Sequence, residues 1–449
     1  MFMRMRTETA AIASLFAGYL LLPSGLSVDL PMLPPIDKNN VTVLSTFLLC
    51  IAKGGVPKRG SIGVLLPILA AAYVLAPVAA SFGNSYELRI GTLSLPGYYL
   101  IDGVKGAINN LIQLSAFYIG TRYLSSATGR AQVLKVSVAA MLLYSLPILV
   151  EARLSPQIHR WVYGYAPYSF ASQVRWGGYR PTVFLSQGLM LALFVAMALV
   201  AACVLARSRI KVFRLPPWAP AAYLVPILVL CKTLGAVIYA MVFVPLAMFA
   251  RPRISVKIAA TILIFVCVYP ALRTQRLIPV ESVVGAASNI SKERADSLVV
   301  RITNEKLLMD KANQKPLFGW GGWGRNRIYD AWDSKDITIT DGGWIIYFGA
   351  FGWLGYLGLF GMFAVAAFRA SSFLKRAEEQ DAKIVSALAL MLAMNILDML
   401  PNANLTPLTF AMAGSIARKV VLARSARKTP NLGVPNHSPQ PKVAQHVPF

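Results

Sequence analysis

Long apolar runs alternate with short basic stretches along almost the whole chain. The runs lie near 9–26, 40–52, 62–81, 104–121, 131–150, 183–206, 257–272, 343–368, 383–400 and 404–422, each close to or a little short of the length that crosses a bilayer as a helix. The segment 219–250 is too long for one ordinary span. Both its flanks are basic: Arg207, Arg209, Lys211 and Arg214 precede it, and Arg251, Arg253 and Lys257 follow it. Cytoplasmic loops carry the excess of Lys and Arg, so the chain must cross an even number of times between these flanks. Two short helices joined near Cys231-Lys232-Thr233 meet that condition and bring the count to about twelve. The pattern therefore predicts an all-α polytopic membrane protein with about 12 transmembrane helices and both termini cytoplasmic. Residues 1–272 hold helices one to nine with an outer loop at 152–182. Residues 273–342 form a large periplasmic loop before the third-last helix, and 343–422 hold the last three helices. The stretch 423–449, rich in Pro, Lys, Ser and Gln, reads as a disordered cytoplasmic tail.

Composition supports this reading and removes others. The chain is 56% hydrophobic and 14% charged, more apolar than a water-soluble core requires. A formal charge of +25 would point to nucleic acid in a soluble protein, but here the basic residues collect in short loops between apolar runs, so no nucleic-acid partner is expected. Cys50, Cys203, Cys231 and Cys267 all fall in or at the edge of apolar runs without metal-ligand spacing, which argues against disulfides and a zinc site. The N-terminus has a basic start and an apolar run like a signal peptide. No convincing small-residue cleavage site follows Pro23, and the run reads as a retained first span.

Candidate chemistry gathers in the outer loops. Pro316-Leu317-Phe318-Gly319-Trp320-Gly321-Gly322-Trp323-Gly324, followed by Arg325 and Arg327, combines tight-turning glycines with indoles whose faces stack on sugar rings. The same tryptophans also suit a membrane interface. Asp341, in Thr340-Asp341-Gly342-Gly343-Trp344, stands where the loop re-enters the membrane; it is placed to accept a proton or to cap the helix that follows. That helix carries Gly349, Gly352, Gly355, Gly358 and Gly361 at spacing three, a face that admits a close neighbour. Arg175 and Arg180 in the first outer loop, with Arg294 and Arg301 on a polar helix over 288–311, form a set suited to gripping a diphosphate, although each alone could be a solvated surface arginine. Lys232 stands at the tip of the paired half-helices, where an ionisable group is costly unless it snorkels to the interface.

These residues resemble the bacterial O-antigen ligase and polysaccharide polymerase superfamily of inner-membrane proteins. The ligase pattern is His, then Asn, Ser or Gln, nine residues, Gly, two residues, then Gly, Thr or Tyr. Asp341-Gly342, nine residues, Gly352-Trp353-Leu354-Gly355 keeps the spacing and replaces both leading residues. Pro-Leu-Phe-Gly-x-Gly at 316–321, the loop arginines, the span count and the position of the large loop extend the likeness over the whole chain. The resemblance implies transfer of a glycan from an undecaprenyl-diphosphate carrier to an acceptor hydroxyl, with no cofactor and no obligatory metal. Carried onto this sequence, it implies a catalytic set of Asp341, Arg301 and Arg294 and a substrate-binding set of Arg175, Arg180, Lys232, Trp320, Trp323 and Arg325. Glu293, Asp296 and Glu305 are further candidate carboxylates. Expected partners are the lipid-linked glycan, the bilayer, and the chain-length regulator and flippase of the same pathway.

The missing His favours a polymerase of exopolysaccharide or O-antigen repeat units over a ligase acting on lipid A-core. A flippase would show charged residues lining several spans and internal repeats. Intramembrane polar positions are sparse, with Asn109, Asn110 and Gln113 near Lys105 as one small cluster. A non-catalytic assembly subunit would tolerate loss of Arg301 and Asp341.

Overall fold

The computed structural model of the protein describes residues 1–54, 62–175, 177–275, 277, 288, 292–338, 341–375 and 377–418, with the backbone alone for 292–298. The predicted tail at 423–449 lies outside these residues, as does most of the basic loop 53–59.

Every apolar run folds as a helix. In chain order they are α1 (Thr7–Leu21), α2 (Lys38–Lys53), α3 (Leu65–Phe82), α4 (Leu100–Tyr123), α5 (Ala127–Leu154), the short α6 (Ile158–Tyr163), α7 (Gly188–Arg207), α8 (Ala219–Leu230), α9 (Leu234–Phe249), α10 (Pro252–Thr274), the polar α11 (Lys292–Ala312), α12 (Gly343–Phe373), α13 (Glu379–Asp398) and α14 (Pro407–Ala417). The segment 219–250 is two helices, as charge parity requires. Six helices, α3, α5, α7, α10, α12 and α13, are long and apolar enough to cross a membrane by length and composition. The chain is a helical membrane protein; among the described residues its strands are three small antiparallel hairpins.

α7 is apolar on all sides and is buried on nearly all of them, with α5, α8, α9 and α13 around it. α12 packs on α3 and α10, α10 on α13, and α4 on α14. Close approach is made by small residues: a Cβ at Gly358 would come within 2.5 Å of the Tyr73 amide nitrogen of α3. Gly355 and Gly361 face α3 as well.

Buried polar groups tie the helices together where apolar contact cannot specify register. Arg130 of α5 grips both carboxylate oxygens of Asp381 at the start of α13. Asn40 bridges α2 to Asn109 and Gln113 of α4 by side-chain bonds of 2.8 and 2.7 Å, and Asn110 donates to the Tyr73 carbonyl of α3 at 2.9 Å. Glu151 of α5, fully buried, accepts the amides of Ile158, Thr182 and Val183 at 2.7–2.9 Å. It thereby hangs both ends of the loop at 158–182 from one carboxylate.

Gly352 departs from the predicted stripe of packing glycines. It has φ +57° and ψ −160° and breaks α12 in the middle. The loop 316–321 is docked into the break. Trp320 and Gly321 donate their amides to the carbonyls of Gly349 and Ala350 at 2.9 and 2.8 Å, and Trp353 and Leu354 donate theirs to the carbonyls of Pro316 and Leu317 at 2.7 and 3.1 Å. The groups freed by the break are thus exchanged one for one with the loop, as a membrane helix requires when it loses its own ladder. Backbones meet so closely here that a Cβ at Gly319 or Gly352 would collide with the opposite chain.

Candidate functional site

The second interrupted element is α8 and α9. α8 closes with a tight turn through Cys231, and Lys232 takes φ +47°, an uncommon conformation for a lysine. α9 then starts at Leu234 with Thr233 as a cap whose side chain is turned back to the Cys231 carbonyl, 3.0 Å away. The amides of Leu234, Gly235 and Ala236 have no partner among the described residues, as expected of a first helical turn without a side-chain cap.

Thr233, Gly235 and Ala236 line a cavity of about 150 Å³ together with Tyr239, Arg301, Asp398, Pro401 and Asn402. Arg301 reaches it from α11. One turn further along the same helix face, Glu305 pairs with Arg273 of α10 and accepts from the Tyr269 hydroxyl at 3.4 Å, which fixes that face toward the bundle. Arg301 then meets Asp341, with Nε 3.3 Å from Oδ2, both side chains about half exposed. Two residues distant in sequence and assigned together from the resemblance are in contact. Asp341 does not cap α12: Gly342 holds the cap position without a side-chain bond, and Gly343 donates to the Asn402 carbonyl at 2.9 Å.

The hairpin Val174–Arg175 and Gly178–Tyr179 lies over the α8–α9 tip. The Lys232 ammonium lies 3.4 Å from the Arg175 carbonyl and against Gly178. Arg180 places its stem against Gly188, and its Nε is buried without a partner among the described residues. Burial lowers the Arg180 pKa and the charge of Arg175 adds to the effect, though an arginine stays protonated. Arg175, Arg180 and Lys232 are therefore one cluster beside the turn that leads into the cavity. The side chain of Arg294, like those of Glu293 and Asp296, lies outside the described residues. Glu305 is committed to Arg273.

The Gly/Trp loop is mostly interior. Trp320 is 6% exposed, donates to the Lys311 carbonyl at 2.8 Å, and has the ammonium groups of Lys311 and Lys315 over its ring. Arg325 is fully buried and donates to the carbonyls of Tyr86 and Pro96 at 2.9 Å each, clamping the small hairpin of residues 88–95. Trp323 alone of these three presents an exposed face. Its φ of +62° turns it out of the loop.

Asp398, absent from the sequence reading, is the buried carboxylate of the cavity. Located at the last residue of α13, it is 4% exposed and accepts from Asn402 at 2.8 Å and Asn404 at 2.5 Å. A signal was present in Asp398-Met-Leu-Pro401-Asn402-Ala-Asn404: one carboxylate at the end of an apolar run, followed by a turn of amides.

Neither a known protein-family model nor a curated protein matches this chain. Among the described residues no group of three or more His, Cys, Asp or Glu is placed to hold a metal ion. The cavity is lined by a guanidinium held by a carboxylate, by Gly235 and Ala236, whose amides have no partner among the described residues, and by a buried carboxylate. Such a set has the chemistry to bind an anion on one side and a hydroxyl on the other.

Proposed function

We propose that this protein is a polymerase that joins undecaprenyl-diphosphate-linked oligosaccharide repeat units into exopolysaccharide or O-antigen. It works at the periplasmic face of the bacterial inner membrane, crossing it about twelve times with both termini cytoplasmic. The observation that carries the reading is the Arg301–Asp341 pair at a cavity that also holds Asp398 and the open N-terminus of α9.

In this reading the diphosphate of the donor sits against Arg301 and the free amides of α9, and reaches them past Arg175, Arg180 and Lys232. The bond from the sugar anomeric carbon to the diphosphate oxygen breaks, and the diphosphate leaves with the electron pair. The acceptor hydroxyl oxygen forms the new glycosidic bond, and its proton passes to Asp398. Charge growing on the leaving oxygen is stabilised by donors already in place, a preorganised arrangement that needs no cation. Asp341 orients Arg301 by holding its Nε, and Trp323 offers an apolar face to a sugar ring.

The test is the size and carrier attachment of glycan extracted from a strain lacking the gene, complemented with wild type or with Arg301→Ala. Single repeat units on the carrier are expected with Arg301→Ala. Full-length chains stranded on the carrier would instead mark a ligase, and an unchanged profile would sink both.

A further inference from the structure

Away from the cavity, a groove of about 320 Å³ opens between the hairpin of residues 88–95, the last turns of α11 and the segment 327–329. Ile90, Leu307 and Ile328 give it apolar walls, and the Gln314 amide and the Asp310 carboxylate line it as well. Its dimensions and its mixture of apolar walls with a few polar groups suit one or two sugar rings.

Lys311 sets its chemistry. The ammonium lies 3.8 Å from the centre of the Trp320 ring, lines the groove, and makes neither a hydrogen bond nor an ion pair among the described residues. Lys315 and Arg325 crowd the same aromatic pair: Lys315 lies over Trp320 and Tyr86, and Arg325 over Tyr86. The Lys315 ammonium donates to the Gly83 carbonyl, the Asn84 side chain and the Tyr86 hydroxyl, and Arg325 Nη1 donates to two carbonyls, while its Nε and Nη2 have no partner among the described residues. Among the described residues none of the three cations meets a carboxylate. Among the described residues the other cation lining the groove, Arg327, is paired with Asp336 at 2.7 Å. Of the groove's own charges Arg327 is paired, and Lys311 and Asp310 form no ion pair among the described residues; Lys315 and Arg325 behind the Trp320–Tyr86 pair add two more cations at the Lys311 end, where the field therefore favours an anion.

We infer that this groove binds an acidic saccharide unit, with the carboxylate of a uronic-acid-type sugar on the Lys311 ammonium and its ring faces on Ile90 and Ile328. The inference rests on the glycan reading only for where the saccharide comes from. On that reading, the groove would hold an acidic residue of the glycan at a distance from the reacting ends.

The test is calorimetric titration of the full-length protein in detergent with trigalacturonate, maltotriose and inorganic phosphate. Trigalacturonate is expected to bind saturably, maltotriose and phosphate at least tenfold more weakly, and Lys311→Met to weaken trigalacturonate about tenfold or more. Lys335→Met, which removes an exposed lysine paired with Asp333, serves as the charge control and is expected to change nothing. Equal binding of maltotriose, equal binding of phosphate, or full affinity in a folded Lys311→Met variant would each overturn the inference. The result is independent of chain growth in cells, so the polymerase reading can fail while this one holds, and the reverse.

Discussion

Two helical elements of this bundle are interrupted, and their loose ends are finished in opposite ways. At Gly352 four amides and four carbonyls pair across the joint between α12 and the loop 316–321. At Lys232 the chain turns as sharply, yet the first amides of α9 have no partner among the described residues, and Gly235 and Ala236 line a cavity with Arg301 and Asp398. Both sites obey the same rule, that a backbone freed from its ladder must find partners. The closed joint finds them within the chain and is architecture; the open one leaves them at a cavity, where the proposed function places the donor diphosphate. The Gly/Trp stretch, which looks the more functional in sequence, belongs to the closed joint.

Substitution at the closed joint is the harshest way to break this contrast. Gly352→Val adds a side chain where φ is +57° and the Leu317 carbonyl already fills the space, and is expected to destabilise by about 3 kcal/mol. Thermal unfolding in detergent reads the loss, and a midpoint like the wild type would refute the joint. Leu234→Pro sharpens the other half. Proline suits the first position of a helix, and Thr233 before it is already extended (φ −124°, ψ 101°), so folding should be unaffected. The substitution removes an amide with no partner among the described residues and exchanges a side chain that is already more than a third exposed. Glycan transfer should fall about tenfold to a hundredfold if that amide meets the diphosphate, whereas full activity would mean the open end is merely solvated.

The smallest effect concerns the loop over the open break. His159, fully buried, donates from Nδ1 to the Tyr165 carbonyl at 2.8 Å and accepts the Ser24 amide on Nε2 at 3.3 Å. Burial lowers its pKa; the Tyr165 carbonyl opposes the shift and the charge of Lys38 adds to it. The unfolded chain therefore takes up this proton first as pH falls below the ordinary histidine value of about 6.5, so stability is full above that pH and declines beneath it. Proteolysis within 164–178 should quicken on acidification while the joint at 316–354 keeps its resistance, and His159→Gln should flatten that dependence.

Much of this was legible in the residues. Hydropathy located the apolar helices but not the short α6, and the length of 219–250 with its basic flanks split it at Lys232. The loop arginines and Asp341 were visible singly, but their pairing was not. Contact between Arg301 and Asp341 depends on how α11 docks through Glu305 and Arg273, a relation no local pattern carries. Gly352 looked like its neighbours Gly355 and Gly358 because a packing glycine and a helix-breaking glycine are the same letter; only the opposing chain distinguishes them. Trp320 and Arg325 looked like a sugar platform for a similar reason. Asp398 escaped because its neighbours are apolar on one side and amides on the other, and only the fold turns it toward Arg301.

Glu151 adds a mechanical property to the open break. By drawing the amides of Ile158, Thr182 and Val183 to one point, it closes the intervening chain into a ring fastened at a single knot. The hairpin with Arg175 is strung on that ring, so a cut anywhere along it leaves both new ends moored. The ring can flex as a whole, but it can be opened only by undoing the knot.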